Sequence, residues 1–422
     1  MIRECRLANG LTLLTEELPD LRSVTAGIWL RQGSRHEPES LNGISHFIEH
    51  LVFKGTQRRT SLQIAREIDA VGGQMDAFTA KESTCFYLRV LDQHLDLALD
   101  LLTDIVRHPR FDPEDIEKER KVIDEEIRMV EDSPEELVFD MLYASRWAGH
   151  PLGRPIQGTE ALVADMDRPC LTEFFTGAYR PGQMVVAAAG HLDHQRLVDA
   201  VGEAFGSMPA GDDLPQGVPP VDQGGEVFRE KSELEQSHLA VALGGLPQDH
   251  EDRYALMLLS NILGGTMSSR LFQKVREERG LAYSVYSAMS SYADQGYHAV
   301  YAATRPQAVA EVLAIIGREL QILCREPVPM EELNESRENL KGTMMLSLES
   351  SYSRMSSLAR AELSFGRQFT LEEILAGIDA VTPDDVQRIA RQTFRGRDAT
   401  LALVGPAAGM NVSLANLGLD GA

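Results

Sequence analysis

Gly43-Ile44-Ser45-His46-Phe47-Ile48-Glu49-His50-Leu51-Val52-Phe53 is the stretch whose reading decides this chain. It carries the pattern H-x-x-E-H inside an apolar run that suits a helix. Positions i and i+4 share one helical face, so the imidazoles of His46 and His50 point the same way. Glu49 stands at the side of that face, within reach of whatever the two histidines hold. Two neutral imidazoles at this spacing suit a divalent zinc ion, and a catalytic zinc site needs one more protein ligand and a water. Phe47, Ile48, Leu51, Val52 and Phe53 supply apolar surroundings. The alternative is a pair of half-buried structural histidines. A third ligand on a suitable element decides between the two.

The run Phe111 to Val130 offers one. Asp112 is a good N-cap and Pro113 a good first helical residue. The inward seam of the expected helix reads Ile116, Glu119, Ile123, Glu126, Val130, so two carboxylates occupy positions that the register reserves for apolar residues. A buried, unpaired carboxylate is costly and calls for a cation or hydrogen bonds. Glu117, Asp124 and Glu125 read as solvated, with Glu117–Lys121 and Asp124–Arg128 as i,i+4 pairs. A metal held by His46, His50 and one seam glutamate accounts for the misplaced charges. The other seam glutamate is then free to orient a histidine from behind.

These residues resemble the pitrilysin/insulinase zinc peptidases, whose inverted motif is H-x-x-E-H, and among them the bacterial proteins similar to mitochondrial processing peptidase. The resemblance runs over essentially the whole chain. It implies zinc ligands His46, His50 and Glu126, Glu49 as general base, and Glu119 as the accessory glutamate behind a ligand. It also implies one zinc ion per chain.

The rest of the chain fits a duplicated architecture. With 422 residues, two or more domains are expected. A net charge of −23 disfavours nucleic acid and anionic membranes and is compatible with basic peptides. The four cysteines, Cys5, Cys85, Cys170 and Cys324, are too scattered for a disulfide framework or a sulfur-ligated metal. Neither a signal peptide nor an Arg-rich presequence is recognisable at the start, and no apolar run is long enough to span a bilayer. A cytoplasmic protein is expected.

Strands are expected over 11–16 and 23–31, helices over 61–71 and 95–107, and a buried strand over 184–190. His191 and His194 follow that strand, but a strand-end turn is the better reading of them. Residues 74–80 and 84–90 suit a hairpin. Its first strand is similar to the family's edge strand G-G-x-x-N-A-x-T, which pairs with substrate backbone; Asp76, Ala77 and Phe78 are the matching positions. An exposed edge binds extended peptide through main-chain bonds. Asp76 stands where the family often has Asn, and an ionised Asp cannot donate. Residues 206–225, rich in Gly, Pro and Asp, read as a linker.

After it the plan of the first half recurs in pattern. Residues 237–244 echo the strand at 23–31, 254–263 take the place of the histidine helix without histidines, and 282–290 with 296–304 echo the hairpin. Residues 329–349 echo the ligand helix, and 383–394 with 400–405 echo 171–190. The expected domains are 1–208 (zinc-binding, catalytic), 209–225 (linker) and 226–422 (homologous, without metal). The fold class is α+β: two α/β-sandwich halves with mostly antiparallel sheets, facing each other as a clamshell. In the second half, residues 268–285 resemble the family's R-E-x-x-G-L-A-Y segment. The resemblance implies that Arg276 and Tyr283 reach the zinc half, Tyr283 donating to a developing oxyanion and Arg276 binding substrate or holding Tyr283. The expected activity is that of a zinc metalloendopeptidase acting on unfolded or presequence-like peptides, paired as a homodimer or with a related chain. The rival is a non-catalytic structural subunit of the same fold, like the core proteins of respiratory complexes, whose metal motifs are typically degraded.

Overall fold

The computed structural model describes residues 1–211, 217–406 and 412–419. Within them the chain forms two sheets. The first contains β1 (Ile2–Arg6), β2 (Thr12–Glu17), β3 (Ser23–Leu30), β4 (Gln74–Thr79), β5 (Thr84–Leu91) and β6 (Met184–Gly190), in the order β1-β2-β6-β3-β5-β4. The second contains β7 (Gly225–Glu230), β8 (Ser237–Gly244), β9 (Ala282–Ser291), β10 (Gly296–Thr304) and β11 (Thr400–Gly405), in the order β7-β11-β8-β10-β9. β2 pairs with β6 in parallel, and β7 pairs with β11 in parallel; every other neighbour is antiparallel. The five strands β2-β6-β3-β5-β4 thus repeat as β7-β11-β8-β10-β9. The fold is mixed α/β and duplicated, as the sequence pattern implies, with β1 as an addition to the first copy.

Two compact units emerge, and they are interleaved along the chain. One comprises Met1–Arg128, Arg154–Gly217 and Met345–Gln368; the other comprises Met129–Gly153, Val218–Met344 and Phe369–Ala422. This differs from the contiguous division expected above, and the cause lies in the sheets. Each has two apolar faces, and the second face is covered by a helix from the opposite half of the chain.

In the first unit, β3 shows this division residue by residue. Val24, Ala26, Ile28 and Leu30 face the main core with the histidine helix. The alternate residues Thr25, Gly27 and Trp29 face the helix Ser351–Phe365. Thr25 Oγ1 lies 2.8 Å from Ser351 Oγ, and Trp29 Nε1 donates to Met355 Sδ at 3.2 Å. A Cβ at Gly27 would meet Met355 Sδ at 2.9 Å, so the glycine admits the helix. Met355, Leu358 and Ala359 are buried there with Trp29; each large side chain contributes roughly 1.5–3 kcal/mol by leaving water. In the second unit, the helix Pro134–Arg146 plays the same part. Its Leu137, Val138 and Leu142 pack with Ala240, Ala242, Tyr297 and Tyr301.

Most expected elements are present. The helix Leu95–Arg107 and the fully buried strand Met184–Gly190 have the bounds read from sequence. Helix Pro113–Asp132 ends just before Pro134, which opens the next helix. Two helix-surface pairs differ from expectation. Arg120 reaches Glu117 and Arg128 reaches Glu125, both at i,i+3, while Arg128 also bonds Glu160. Part of the expected linker, 212–216, lies outside the described residues. The stretch after it packs on the second unit, where Trp147 Nε1 donates to Asp222 at 2.8 Å. His191 and His194 take separate partners, Asp92 and Thr15. All four cysteines are free. Among the described residues no helix is long and apolar enough to cross a membrane.

Candidate metal centre

The helix Ile44–Val52 presents the first two donors. Ile44, Phe47, Ile48, Leu51 and Val52 sink into the core and fix the helix rotation, leaving His46, Glu49 and His50 half-buried on the remaining face. Its N-terminus is clamped. Gly43 has φ of 100°, a left-handed conformation suited to glycine, and a Cβ there would strike Gln157 O at 2.5 Å. Glu37, buried in the preceding loop, accepts from the N–H groups of Gly43 (2.8 Å) and Ser45 (2.9 Å) and from Asn42 Nδ2 (3.0 Å). A carboxylate at a helix N-terminus satisfies orphan donors and complements the dipole. Burial pushes the Glu37 carboxyl up; these donors oppose the shift without cancelling it.

The helix Pro113–Asp132 brings the carboxylates. Ile116, Glu119 and Ile123 are buried, which confirms the seam register, and Glu126 lies half-buried one turn further on. Glu126 Oε2 lies 3.5 Å from His46 Nε2 and 3.4 Å from His50 Nε2. Metal–ligand bonds of ~2.0–2.2 Å at the tetrahedral angle put donor atoms about 3.4 Å apart. The two nitrogens and one oxygen therefore fit a tetrahedral divalent ion such as zinc. Among the described residues, this is the single group of three or more His, Cys, Asp or Glu side chains close enough to share an ion.

The histidines are held differently. His50 Nδ1 is 3.2 Å from Glu119 Oε2, and Glu119 Oε1 accepts from Lys54 Nζ at 2.7 Å. Burial lowers the His50 pKa, but the Glu119 bond and the charges of Glu126 and Glu49 outweigh it and leave it raised. Burial likewise raises Glu119, yet His50 and Lys54 leave it lowered. His46 Nδ1 is buried and has no hydrogen-bond partner among the described residues. Burial, with the neighbouring His50, pushes His46 down to about 4, so it is a neutral imidazole, the form a metal ligates.

Glu49 is not part of the donor triad. Its Oε2 accepts from Thr79 Oγ1 at 2.5 Å, across to β4. Burial pushes its carboxyl up, opposed by the Thr79 bond and His50. β4 is the edge strand of its sheet, as expected. Phe78 turns away from the histidine helix onto Trp29, with ring centroids 5.3 Å apart, while Ala77 packs against the main core. Exposed Asp76 acts only as an acceptor, from Ala77 N at 2.8 Å and Tyr87 OH at 3.3 Å.

In the second unit, Tyr283 is 77% exposed on β9. The Arg276 guanidinium lies 4.4 Å from the Tyr283 ring centroid and 4.7 Å from that of Phe272, and it donates to Tyr283 O at 3.2 Å. Arg276 and Tyr283 are thus brought to each other. Sequence reasoning missed Glu37, Lys54 and Thr79. Each is a polar residue outside the helical periodicity; the available signal for Thr79 was the final T of the edge-strand pattern G-G-x-x-N-A-x-T.

The fold and the site define a class, a duplicated α/β chain presenting a nitrogen–oxygen donor triad of the kind divalent ions take. Residues 12–160 match the family described as insulinase (peptidase family M16), and residues 165–340 match the peptidase M16 inactive domain. A protein named uncharacterized zinc protease YmxG, of Bacillus subtilis (strain 168), is 42% identical over 410 residues, spanning 97% of this chain and 100% of that protein. A protein of Streptomyces coelicolor, also named an uncharacterized zinc protease, is 42% identical over 412 residues, spanning 96% and 90%. A protease from Helicobacter pylori has the same fold, with TM-score 0.89 at 22% identity over 96% of this chain and 100% of that one. So does a chain of complex III2 from Candida albicans, with TM-score 0.86 at 20% identity over 99% of each. The chain belongs to the insulinase family, peptidase family M16. The metal-donor group His46, His50 and Glu126 lies within the first matched stretch, and the stretch matching the domain described as inactive begins after it.

Proposed function

We propose that the protein is a zinc-dependent endopeptidase acting on extended, unfolded peptides. The observation that carries this reading is the convergence of His46 Nε2 and His50 Nε2 on one oxygen of Glu126, at 3.5 and 3.4 Å, with Glu49 alongside but outside the triad. His46, His50 and Glu126 would hold zinc. When bound, zinc supplies a Lewis acid that acidifies water and polarises the scissile carbonyl. The naming of relatives at 42% identity as zinc proteases supports the choice of metal.

The remaining steps belong to the side chains. The free edge of β4 takes the substrate main chain as an added strand, at Asp76, Ala77 and Phe78, so recognition reads backbone more than sequence. Glu49 takes a proton from the attacking water and later delivers it to the leaving amine. Its raised pKa suits both tasks. Glu119 fixes the ring of His50 and keeps its Nδ1 as the N–H. Tyr283 donates to the carbonyl oxygen as it gains charge, and Arg276, stacked on its ring, holds it in place. That role requires the two halves to meet as a clamshell over one peptide. Pairing of the chain, with itself or a related chain, belongs to the same proposal, as does a cytoplasmic location.

The likeness to a chain of complex III2 is a likeness of fold. A complete donor set beside a separately held carboxylate favours the enzyme over the structural subunit. The test is chelation and reconstitution. Protein stripped by a chelator should stop cutting an unstructured peptide, and stoichiometric zinc should restore cleavage. Cleavage that persists in stripped protein contradicts the proposal.

A further inference from the structure

We propose that Thr79 is a positioning residue for the base: its hydroxyl pins one oxygen of Glu49 and ties that carboxylate to the strand on which the peptide is laid. The inference rests on the reading of Glu49 as the general base.

Its origin is the register of β4. Side chains alternate across a strand, so Ala77 and Thr79 share one face while Asp76 and Phe78 share the other. The observed contacts bear this out: Ala77 packs against the core that contains the histidine helix, and Phe78 packs on Trp29 on the opposite face. Thr79 is the last residue of the strand on the inner face. It donates to Glu49 Oε2 at 2.5 Å, a short charge-assisted bond. Among the described residues Glu49 Oε1 makes no hydrogen bond within the protein, so one oxygen is anchored and the other is free for the proton. A carboxylate that exchanges a proton with a water must be held close to the productive geometry, within about 0.5 Å. Glu49 sits on a helix face whose rotation is fixed, but its three side-chain torsions are not. The Thr79 bond supplies that constraint.

The same residue links base and substrate. The far edge of β4 carries no further strand among the described residues. A peptide added there bonds the backbone of the strand whose last inner side chain holds the base. Docking of the substrate therefore steadies the strand that steadies Glu49.

The experiment compares wild type, Thr79→Val, Thr79→Ser, Glu49→Gln and the Thr79→Val/Glu49→Gln double variant, each zinc-loaded, on one internally quenched unstructured peptide. Valine keeps the branched shape and removes the hydroxyl. Thr79→Val should lose about 10–100-fold in kcat, the worth of a hydrogen bond to a charged group, with KM and zinc content little changed. Thr79→Ser should recover most of the loss, because serine keeps the donor. In the Glu49→Gln background, Thr79→Val should add no further loss, because the two act as one unit. Should Thr79→Val fail to fold, Thr79→Ala takes its place in every comparison. Thr79→Val turning over like wild type while Glu49→Gln is slow overturns this inference and leaves the base assignment standing. So does Thr79→Ser as slow as Thr79→Val, or a full additional loss in the double variant. Glu49→Gln at wild-type speed instead removes the base assignment and this inference with it.

Discussion

Replacing Glu119 by Gln tests how the histidine pair is held. The substitution keeps the shape and removes the charge. In the structure, Glu119 serves two donors at once: His50 Nδ1 at 3.2 Å on one oxygen and Lys54 Nζ at 2.7 Å on the other. A glutamine has one acceptor oxygen and one NH2 group. If its oxygen faces His50, its NH2 meets the Lys54 ammonium, donor against donor. If its oxygen faces Lys54, the NH2 confronts His50 Nδ1, and the imidazole must give up the tautomer that leaves Nε2 free for a metal. Either way the orientation of His50 is weakened while all three proposed ligands remain. Loss of such a group behind a ligand costs about 10–100-fold in metal affinity, or about 1.4–2.8 kcal/mol. Glu126→Gln replaces a proposed anionic ligand with a neutral amide and should exceed that range. Lys54→Met acts only through Glu119 from a partly exposed site, so its effect should stay under about tenfold. The assay is competition for zinc against a chromogenic chelator at one pH. The reasoning is refuted if Glu119→Gln weakens zinc more than Glu126→Gln does, or if Glu119→Gln binds like wild type.

Further outcomes are expected. Purified protein should carry about one zinc per chain, and His46→Ala/His50→Ala should carry none; full retention in elemental analysis excludes this site. Tyr283→Phe should keep its zinc and lose roughly 10²-fold in turnover, as for one oxyanion donor; because Tyr283 lies in the second unit, unchanged turnover argues against the two halves sharing one peptide. His298 on β10 is fully buried, neither ring nitrogen has a hydrogen-bond partner among the described residues, and burial pushes its pKa from 6.5 to about 4. The unfolded chain takes up this proton first, so the contribution is intact above pH 6.5 and lost as pH falls towards 4, by on the order of 3 kcal/mol. Urea unfolding of His298→Leu should show less loss of stability across that window than wild type, and parallel pH profiles would show that His298 does not titrate as stated.

The parts of the molecule legible in sequence are those fixed by local periodicity. The seam Ile116, Glu119, Ile123, Glu126 could be read because two carboxylates broke an otherwise apolar helical register, and the structure places them behind and beside the histidines. The buried strand Met184–Gly190 could be read from an unbroken apolar run. What was not legible depends on contacts far apart in the chain. Thr25, Gly27 and Trp29 alternate with the core-facing residues of β3 and receive the helix Ser351–Phe365, a partner more than three hundred positions away; the large Trp29 was the available hint. β1 escaped notice because its alternation of Ile, Arg, Glu, Cys and Arg leaves it largely exposed at a sheet edge. The i,i+4 pairs expected for Lys121 and Asp124 gave way to i,i+3 contacts, and Arg128 also found Glu160 from another helix. Thr79 and Glu37 bond to the motif across loops and strands, where no periodicity points.

The central claim is that Glu49 does chemistry beside a metal it does not hold. Glu49→Gln removes the base and keeps the shape and the donor triad. Zinc content and cleavage of an unstructured peptide, measured on the same preparation, test the claim directly. The account predicts about one zinc per chain, as in wild type, retained peptide binding, and cleavage at least about 10²-fold slower. Wild-type cleavage by the zinc-loaded variant, or loss of the zinc itself, would contradict it.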